Sequence, residues 1–288
     1  MTALILDRPL RRLRASRYVD ALRELAIFAL AYVVYFGVRA ITEGTSATAM
    51  QHAIDLITFE QRLGIDWEGT IQNGVVGSRL LVDATNAVYM YGHWPVIIIA
   101  GVLLFRHRRS HYYELRNVCL LTGLVGLVIF ALYPVAPPRL TDLPLVDTVT
   151  RNAEGYRQLV PSTLVNEYAA MPSFHAGWNV LLGIVVFRAT THWLLRGLAI
   201  AGPAAMVVAV VATANHYVID VMAGIAIVLI GLYVLRRLDR TRAGSTLVCT
   251  DEFKRADRSQ VVRRRAPGGQ RRRAAEGCGG AGGRARRG

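Results

Sequence analysis

Lysine occurs once in this chain, at Lys254, so its thirty-four basic residues are almost all arginine. That bias marks a GC-rich coding sequence first and phosphate recognition only second. Cysteine is nearly as scarce. Cys119 falls inside an apolar block, and Cys249 and Cys278 lie near the C-terminus, which excludes a disulfide framework and a CxxC metal site. The apolar blocks hold no Asp/Glu cluster with metal-ligand spacing, and the HRRSH run from His107 to His111 belongs to a basic loop. No metal ion and no cofactor are therefore expected. Internal repeats and a second soluble domain are missing too. No cleavable signal peptide is evident: the first apolar stretch starts near Leu22, behind a basic segment, and is long enough to stay as an anchor.

What the chain has is apolar length. Of its 288 residues 53% are hydrophobic, and the mean hydropathy is +0.32. Its apolar residues come in nearly uncharged blocks of about 17–22, each able to cross a hydrocarbon core about 30 Å thick at about 1.5 Å per residue. The expected fold is all-α, a polytopic membrane helix bundle of six transmembrane helices at about 22–40, 85–105, 116–134, 174–190, 194–213 and 216–236. Gly92, His93 and Pro95 interrupt the second span and the fourth is short, so five spans are the rival count. The expected division is a basic N-terminal segment 1–21, a membrane catalytic domain 22–238, and an Arg/Gly-rich tail 239–288. From Arg242 to Gly288 the tail holds thirteen basic and four acidic residues and lacks apolar periodicity. It is expected to be disordered and drawn to anionic lipid, with no nucleic-acid partner.

Charge beside the spans orients them. Arg8 to Arg17, Arg106 to Arg116, Arg188 with Arg196, and Arg236 to Arg242 all fall on one side of a six-span chain. By the positive-inside rule that side is cytoplasmic, with both termini. The expected location is a bacterial plasma membrane. The other side receives two long loops, 41–83 and Val135 to Pro172. In the first, Met50, Ala53, Ile54, Ile57 and Leu63 suit an amphipathic helix over Ala49–Leu63, lying along the interface and roofing the bundle.

Three motifs gather at this outer side. Asn215-His216-Tyr217-Val218-Ile219-Asp220 opens the sixth span, and Asp220 lies one helical turn beyond His216. A carboxylate there would hold one imidazole nitrogen as N–H and leave the other bare as a nucleophile. The alternative is a structural His–Asp pair joining two helices. Met171-Pro172-Ser173-Phe174-His175 opens the fourth span, where first-turn amides form an anion site and His175 is a candidate acid. Equally, Ser173 suits an ordinary helix cap and His175 an interfacial position. In Tyr133-Pro134-Val135-Ala136-Pro137-Pro138-Arg139 three prolines stiffen the backbone and present Arg139, a fork for phosphate oxygens or a snorkelling residue. Together they supply an anion grip, a nucleophile with its orienting acid, and a proton donor, a set suited to phosphoryl transfer through phosphohistidine.

This arrangement resembles the type 2 phosphatidic acid phosphatase superfamily, whose signature is an arginine-containing first motif, then PSxH, then HxxxD. The resemblance spans roughly residues 20–236. It implies that His216 attacks phosphorus, Asp220 orients it, His175 protonates the leaving oxygen, and Arg139 and Ser173 bind the phosphoryl group. Two departures stand out. Arg139 is followed by Leu140 rather than proline and has no lysine before it, and Val210 takes the place of an arginine six residues before His216. Both departures, with Glu60-Gln61-Arg62-Leu63-Gly64-Ile65 and Asn86 to Pro95, are similar to the inositolphosphorylceramide-synthase-like branch. His93 is a candidate to fill the phosphate-ligand gap, or else a packing histidine beside a proline kink. The expected activity is lipid phosphatase or inositol-phosphotransferase chemistry at the outer face, on a membrane phospholipid or polyprenyl-type phosphate. The competing expectation is a non-catalytic lipid-phosphate carrier. A haloperoxidase-like oxidant is remote.

Overall fold

A computed structural model describes residues 3–42, 46–152 and 166–265, with side chains over 18–39, 46–150 and 166–241. The chain is a helical bundle. Helix α1 spans Ala3–Thr42, α2 Ser46–Leu63, α3 Glu68–Val76, α4 Arg79–Tyr91, α5 Trp94–His107 and α6 Arg109–Leu132. A 3-10 turn at Pro138–Leu140 and the short α7, Thr148–Asn152, follow, then α8 Phe174–Ala189, α9 Trp193–Ala212 and α10 Val218–Arg265. Among the described residues no strand forms, only an isolated parallel bridge between Val135 and Ala169.

Four helical stretches are long and apolar enough to cross a membrane: Tyr18–Arg39, Arg109–Leu132, Trp193–Ala212 and Val218–Thr241. Helices α4 and α5 make a fifth if taken as one span bent by 48°. The bend falls at Gly92-His93, just before Pro95, where proline cannot donate an amide to the preceding turn. The expected fourth span is α8, whose sixteen residues reach about 24 Å, short of a full crossing. A short helix is tolerated there because α8 is internal. Ala176, Asn179, Leu181, Leu182 and Val185 are buried around its circumference, against α5, α6, α9 and α10. Against the expected six, four helices have the length to cross, the bent α4–α5 pair makes a fifth only if it is one span, and α8 is too short by itself.

Burial is inverted relative to a soluble protein. Leu22, Leu30, Ile98, Ile99, Leu124, Leu198, Ile200 and Ile230 are all exposed, an apolar belt on the outside of the bundle. Inside, Leu104, Leu115, Val118, Leu181, Val185 and Val228 form the main core. Helix α1 is the most peripheral and packs against α6 through polar pairs. Arg116 meets Glu24 at 2.5 Å and Arg109 meets Asp20 at 2.6 Å. Arg188 likewise meets Glu114 at 2.8 Å, so the arginines cluster at one end of α6 and α8.

At the other end the first loop is ordered into α2 and α3. The expected amphipathic helix is present, but its inward stripe is Ala49, Ala53, Leu56 and Glu60, whereas Ile54 and Leu63 face outward. The small alanines let α2 sit against the strap that follows α6, with the Ala136 amide donating to the Ala49 carbonyl. Gln72 and Asn86 tie the second loop down, bonding Val146 and Thr148 respectively.

The chain divides into two compact units, Met1–Leu235 and Arg236–Gly288. Within the second, helical backbone runs to Arg265, past the expected tail boundary, because from Asp239 to Arg265 the sequence has a single glycine and no proline. Pro267-Gly268-Gly269 follows, and residues 266–288 of the expected tail lie outside the described residues, as does 153–165 of the second outer loop. Truncation after Asp239 removes no residue of the first unit. The shortened protein should insert and keep its specific activity within about twofold, compared in one detergent at matched expression; loss of more than about 90%, roughly 1.4 kcal/mol in barrier, would show that the tail acts on the site.

Candidate active site

The turn from α9 into α10 builds the centre of the site. Ala214 takes a positive φ of 55°, a left-handed conformation that a β-carbon disfavours, and it is fully buried. This turn lets the amides of Asn215 and His216 both donate to the Val210 carbonyl, at 3.2 and 3.0 Å. Val210, at the position where the resembled motif carries arginine, thus serves through its backbone.

His216 is buried, and its Nδ1 lies 2.8 Å from the Ala170 carbonyl and 3.6 Å from Asp220 Oδ2. A carbonyl can only accept, so Nδ1 carries the hydrogen and Nε2 is the bare nitrogen. The expected orienting partner, Asp220, stands behind that bond rather than forming it. Asp220 is wholly buried; its Oδ2 accepts the Tyr217 amide at 2.9 Å, and its Oδ1 has no hydrogen-bond partner among the described residues.

The PSFH segment enters through a cis Met171–Pro172 bond. Ser173 is the N-cap of α8, its Oγ accepting the Ala176 amide at 3.5 Å, and its own amide donates to the Asp220 carbonyl at 2.9 Å. That backbone contact between α8 and α10 needs glycine. A β-carbon on Gly224 would collide with the Ser173 carbonyl, and one on Gly177 with the Gly224 carbonyl. The close crossing brings the His175 and His216 ring centroids to 5.7 Å.

His93, at the break between α4 and α5, joins them. Its ring centroid is 4.3 Å from that of His175, and the Tyr89 ring stacks on His175 from 4.9 Å. The Asn179 amide nitrogen donates to the His175 carbonyl at 2.8 Å and stands 3.0 Å from His93 Nδ1. Since that nitrogen is an NH₂ group, His93 Nδ1 accepts, and the imidazole's hydrogen is on Nε2.

Arg139, half-buried, follows a buried proline-rich strap. Residues Pro134 to Pro138 are buried, and the Val135 amide donates to the Tyr168 carbonyl at 2.8 Å. The Arg139 amide donates to the Ala214 carbonyl, and its guanidinium meets Asn215 Oδ1 at 2.5 Å. Asn215 is itself fixed by donating to Thr213. Rigidity was expected from the prolines; packing and this amide supply most of it.

The structure therefore brings His216, Asp220, His175, Ser173, His93 and, through Asn215, Arg139 to one end of the bundle. Sequence reasoning missed several participants. Asn179 was an ordinary polar residue within an apolar block, Asn215 was named only as the start of its motif with no role, and the Ala170 carbonyl has no side-chain signature at all. Glu60 and Glu68 are buried and reach α10 from α2 and α3, with Glu60 Oε1 accepting the Ile219 amide at 2.8 Å and Glu68 Oε1 the Val218 amide at 2.7 Å. Burial, then the neighbouring carboxylates, push the Glu60 carboxyl up to about 8 against the lowering effect of the Ile219 amide. No group of three or more His, Cys, Asp or Glu suited to a metal ion occurs among the described residues.

The PAP2 superfamily matches residues 54–234, and the chain belongs to that family. It is 27% identical over 188 residues to the phosphoinositol dihydroceramide synthase of Bacteroides thetaiotaomicron, covering 57% of this chain. The match spans 61% of that relative's length. No solved structure matches the chain significantly.

The glycine crossing gives a direct test. Gly224→Ala should force α8 from α10 at the Ser173 carbonyl, an overpacking cost of about 1–3 kcal/mol. Turnover should fall at least about tenfold, since the His175–His216 spacing depends on this contact. Gly197→Ala on α9, which meets open space, should leave it unchanged in a parallel assay.

Proposed function

We propose that the protein is a multi-pass membrane enzyme that transfers a phosphoryl group from a lipid phosphate by way of a phosphohistidine at His216. The observation carrying this reading is the Nδ1 hydrogen bond of His216 to the Ala170 carbonyl, which commits Nε2 of a buried ring to a lone pair. Nε2 forms the bond to phosphorus while the bond to the leaving oxygen breaks, and His175 gives that oxygen its proton. The acceptor hydroxyl then returns a proton to His175 as it attacks phosphorus and frees His216. Arg139 and the α8 start at Ser173 hold phosphoryl oxygens. His93, with its hydrogen on Nε2, donates where the missing arginine would have done. Asp220 stabilises the His216 ring as it takes on positive charge.

The sites of charge support an outer-face location in a bacterial plasma membrane. Arginines crowd the end of the bundle opposite the histidines, so the positive-inside rule puts the histidine end outside and both termini in the cytoplasm. With fewer cationic ligands, a phosphodiester suits the site better than a phosphomonoester, having less charge to neutralise. The similarity to a phosphoinositol dihydroceramide synthase favours the same choice, with an inositol-bearing phospholipid as donor and a lipid alcohol as acceptor. A carrier that only binds has no use for a nucleophile of fixed tautomer.

Purified protein in detergent should form new phospholipid from labelled phosphatidylinositol only when dihydroceramide is present as acceptor, and should release little inorganic phosphate from phosphatidic acid given separately. His216→Ala should lose at least about a thousandfold in kcat with insertion intact. Asp220→Asn should lose less, on the order of tenfold to a hundredfold, because the Ala170 carbonyl still holds Nδ1–H. Wild-type turnover in His216→Ala would end the covalent mechanism.

A further inference from the structure

The first turn of α10 is held by carboxylates in an unusual number. The successive amides of Tyr217, Val218 and Ile219 donate to Asp220 Oδ2, Glu68 Oε1 and Glu60 Oε1 at 2.9, 2.7 and 2.8 Å. Helix starts leave such amides without intrahelical partners, and an acceptor side chain satisfies them. One carboxylate would answer the partial positive charge of about half an elementary unit at a helix start. Three, all buried, exceed it.

The sequence delivers two of these groups from one turn. Glu60 lies near the end of α2 and Glu68 opens α3, and between them Gly64 takes a φ of 67°, a left-handed conformation suited to glycine. The Ile65 amide donates back to the Glu60 carbonyl, closing the turn and turning both carboxyl groups toward α10. Neither residue reaches the histidines, so neither is catalytic. What they grip is the backbone that carries His216 and Asp220.

We propose that Glu60 and Glu68 are positioning residues that clamp the start of α10 by its backbone amides, Glu60 as an uncharged carboxyl beside a site built for anions. This rests on the reading of His216 as nucleophile. The titratable groups facing Glu60 are Glu68 from α3 and Asp220 and Tyr217 from α10, all acidic and none able to compensate a further charge. Burial keeps the Glu60 carboxyl protonated up to about pH 8. The sign follows. A carboxyl whose pKa is raised on folding stabilises the fold most below its unfolded value of 4.5, and that contribution is lost as pH rises toward about 8. Above that pH Glu60 takes on a charge, loosening the turn and repelling an anionic lipid phosphate.

Glu60→Gln keeps an acceptor for the Ile219 amide and removes the proton equilibrium; Glu60→Ala removes both. Infrared spectra of full-length protein in detergent should show a protonated-carboxyl C=O band that disappears with a midpoint near pH 8 and is missing in Glu60→Gln. With labelled phosphatidylinositol and dihydroceramide, wild-type activity should decline above about pH 8, mainly through KM, and Glu60→Gln should lose that decline while costing about threefold in kcat at pH 7. Glu60→Ala should lose at least about tenfold in kcat with KM within about twofold. The band persisting in Glu60→Gln, an unchanged pH profile in it, or wild-type kcat in Glu60→Ala would each overturn the proposal. Should Glu60→Ala fail to insert, the infrared and pH results of Glu60→Gln decide. An active His216→Ala would refute the nucleophile alone, because the infrared band reads the Glu60 proton without turnover.

Discussion

Everything at the reactive end of the bundle is referred to one backbone hydrogen bond, from the Ser173 amide to the Asp220 carbonyl at 2.9 Å. A main-chain contact between two helices demands that neither present a β-carbon at the crossing, and Gly177 and Gly224 meet that demand. Once α8 and α10 touch backbone to backbone, the positions of His175 and His216 follow from helical geometry. Side chains alone would fix that spacing less tightly, since each rotatable bond adds freedom that a reacting pair has to give up.

The same economy runs through the long loops at this end of the bundle. The strap after α6 meets the Tyr168–Ala170 segment, α2 and the Ala214 turn, and every one of those contacts uses peptide groups. Tyr217, between His216 and the clamp, adds its hydroxyl to the Ala136 carbonyl. The loops are therefore structural members of the site. Buried irregular backbone is permissible only when its amides and carbonyls are paired, and here the pairing also locates Arg139 and His216.

What the sequence disclosed follows from what kind of signal each feature leaves. Apolar blocks announce helices because membrane crossing needs length without charge, so all six blocks appear as helices even though one is broken and one is short. The break at Gly92-His93 was readable from local chemistry. Of the candidate site, PSFH and HYVID are local patterns, and the residues they flagged do converge. The Ala170 carbonyl at Nδ1 was illegible, since every residue has a carbonyl and only the fold decides which one arrives. Glu60 and Glu68 were hidden differently. Within an amphipathic loop helix a glutamate reads as a solvated charge, and nothing within about 150 residues of Glu68 indicates the amide it serves. Long-range pairings of this kind are the part of a site that spacing rules cannot reach.

Peripheral α1 has a consequence for the order of assembly. Glu24 is buried against Tyr112 and Arg116, which lie 88 and 92 residues further along the chain. During synthesis at about 5–20 residues per second, α1 leaves the ribosome roughly 5–20 s before its counter-ion does. Over that interval Glu24 lacks the two partners that hold it in the bundle, and a carboxyl group on an apolar helix without them costs free energy in lipid. The first helix is thus a segment whose insertion is completed by a later one, and the ribosome's pace, as much as the bilayer, sets how long it waits.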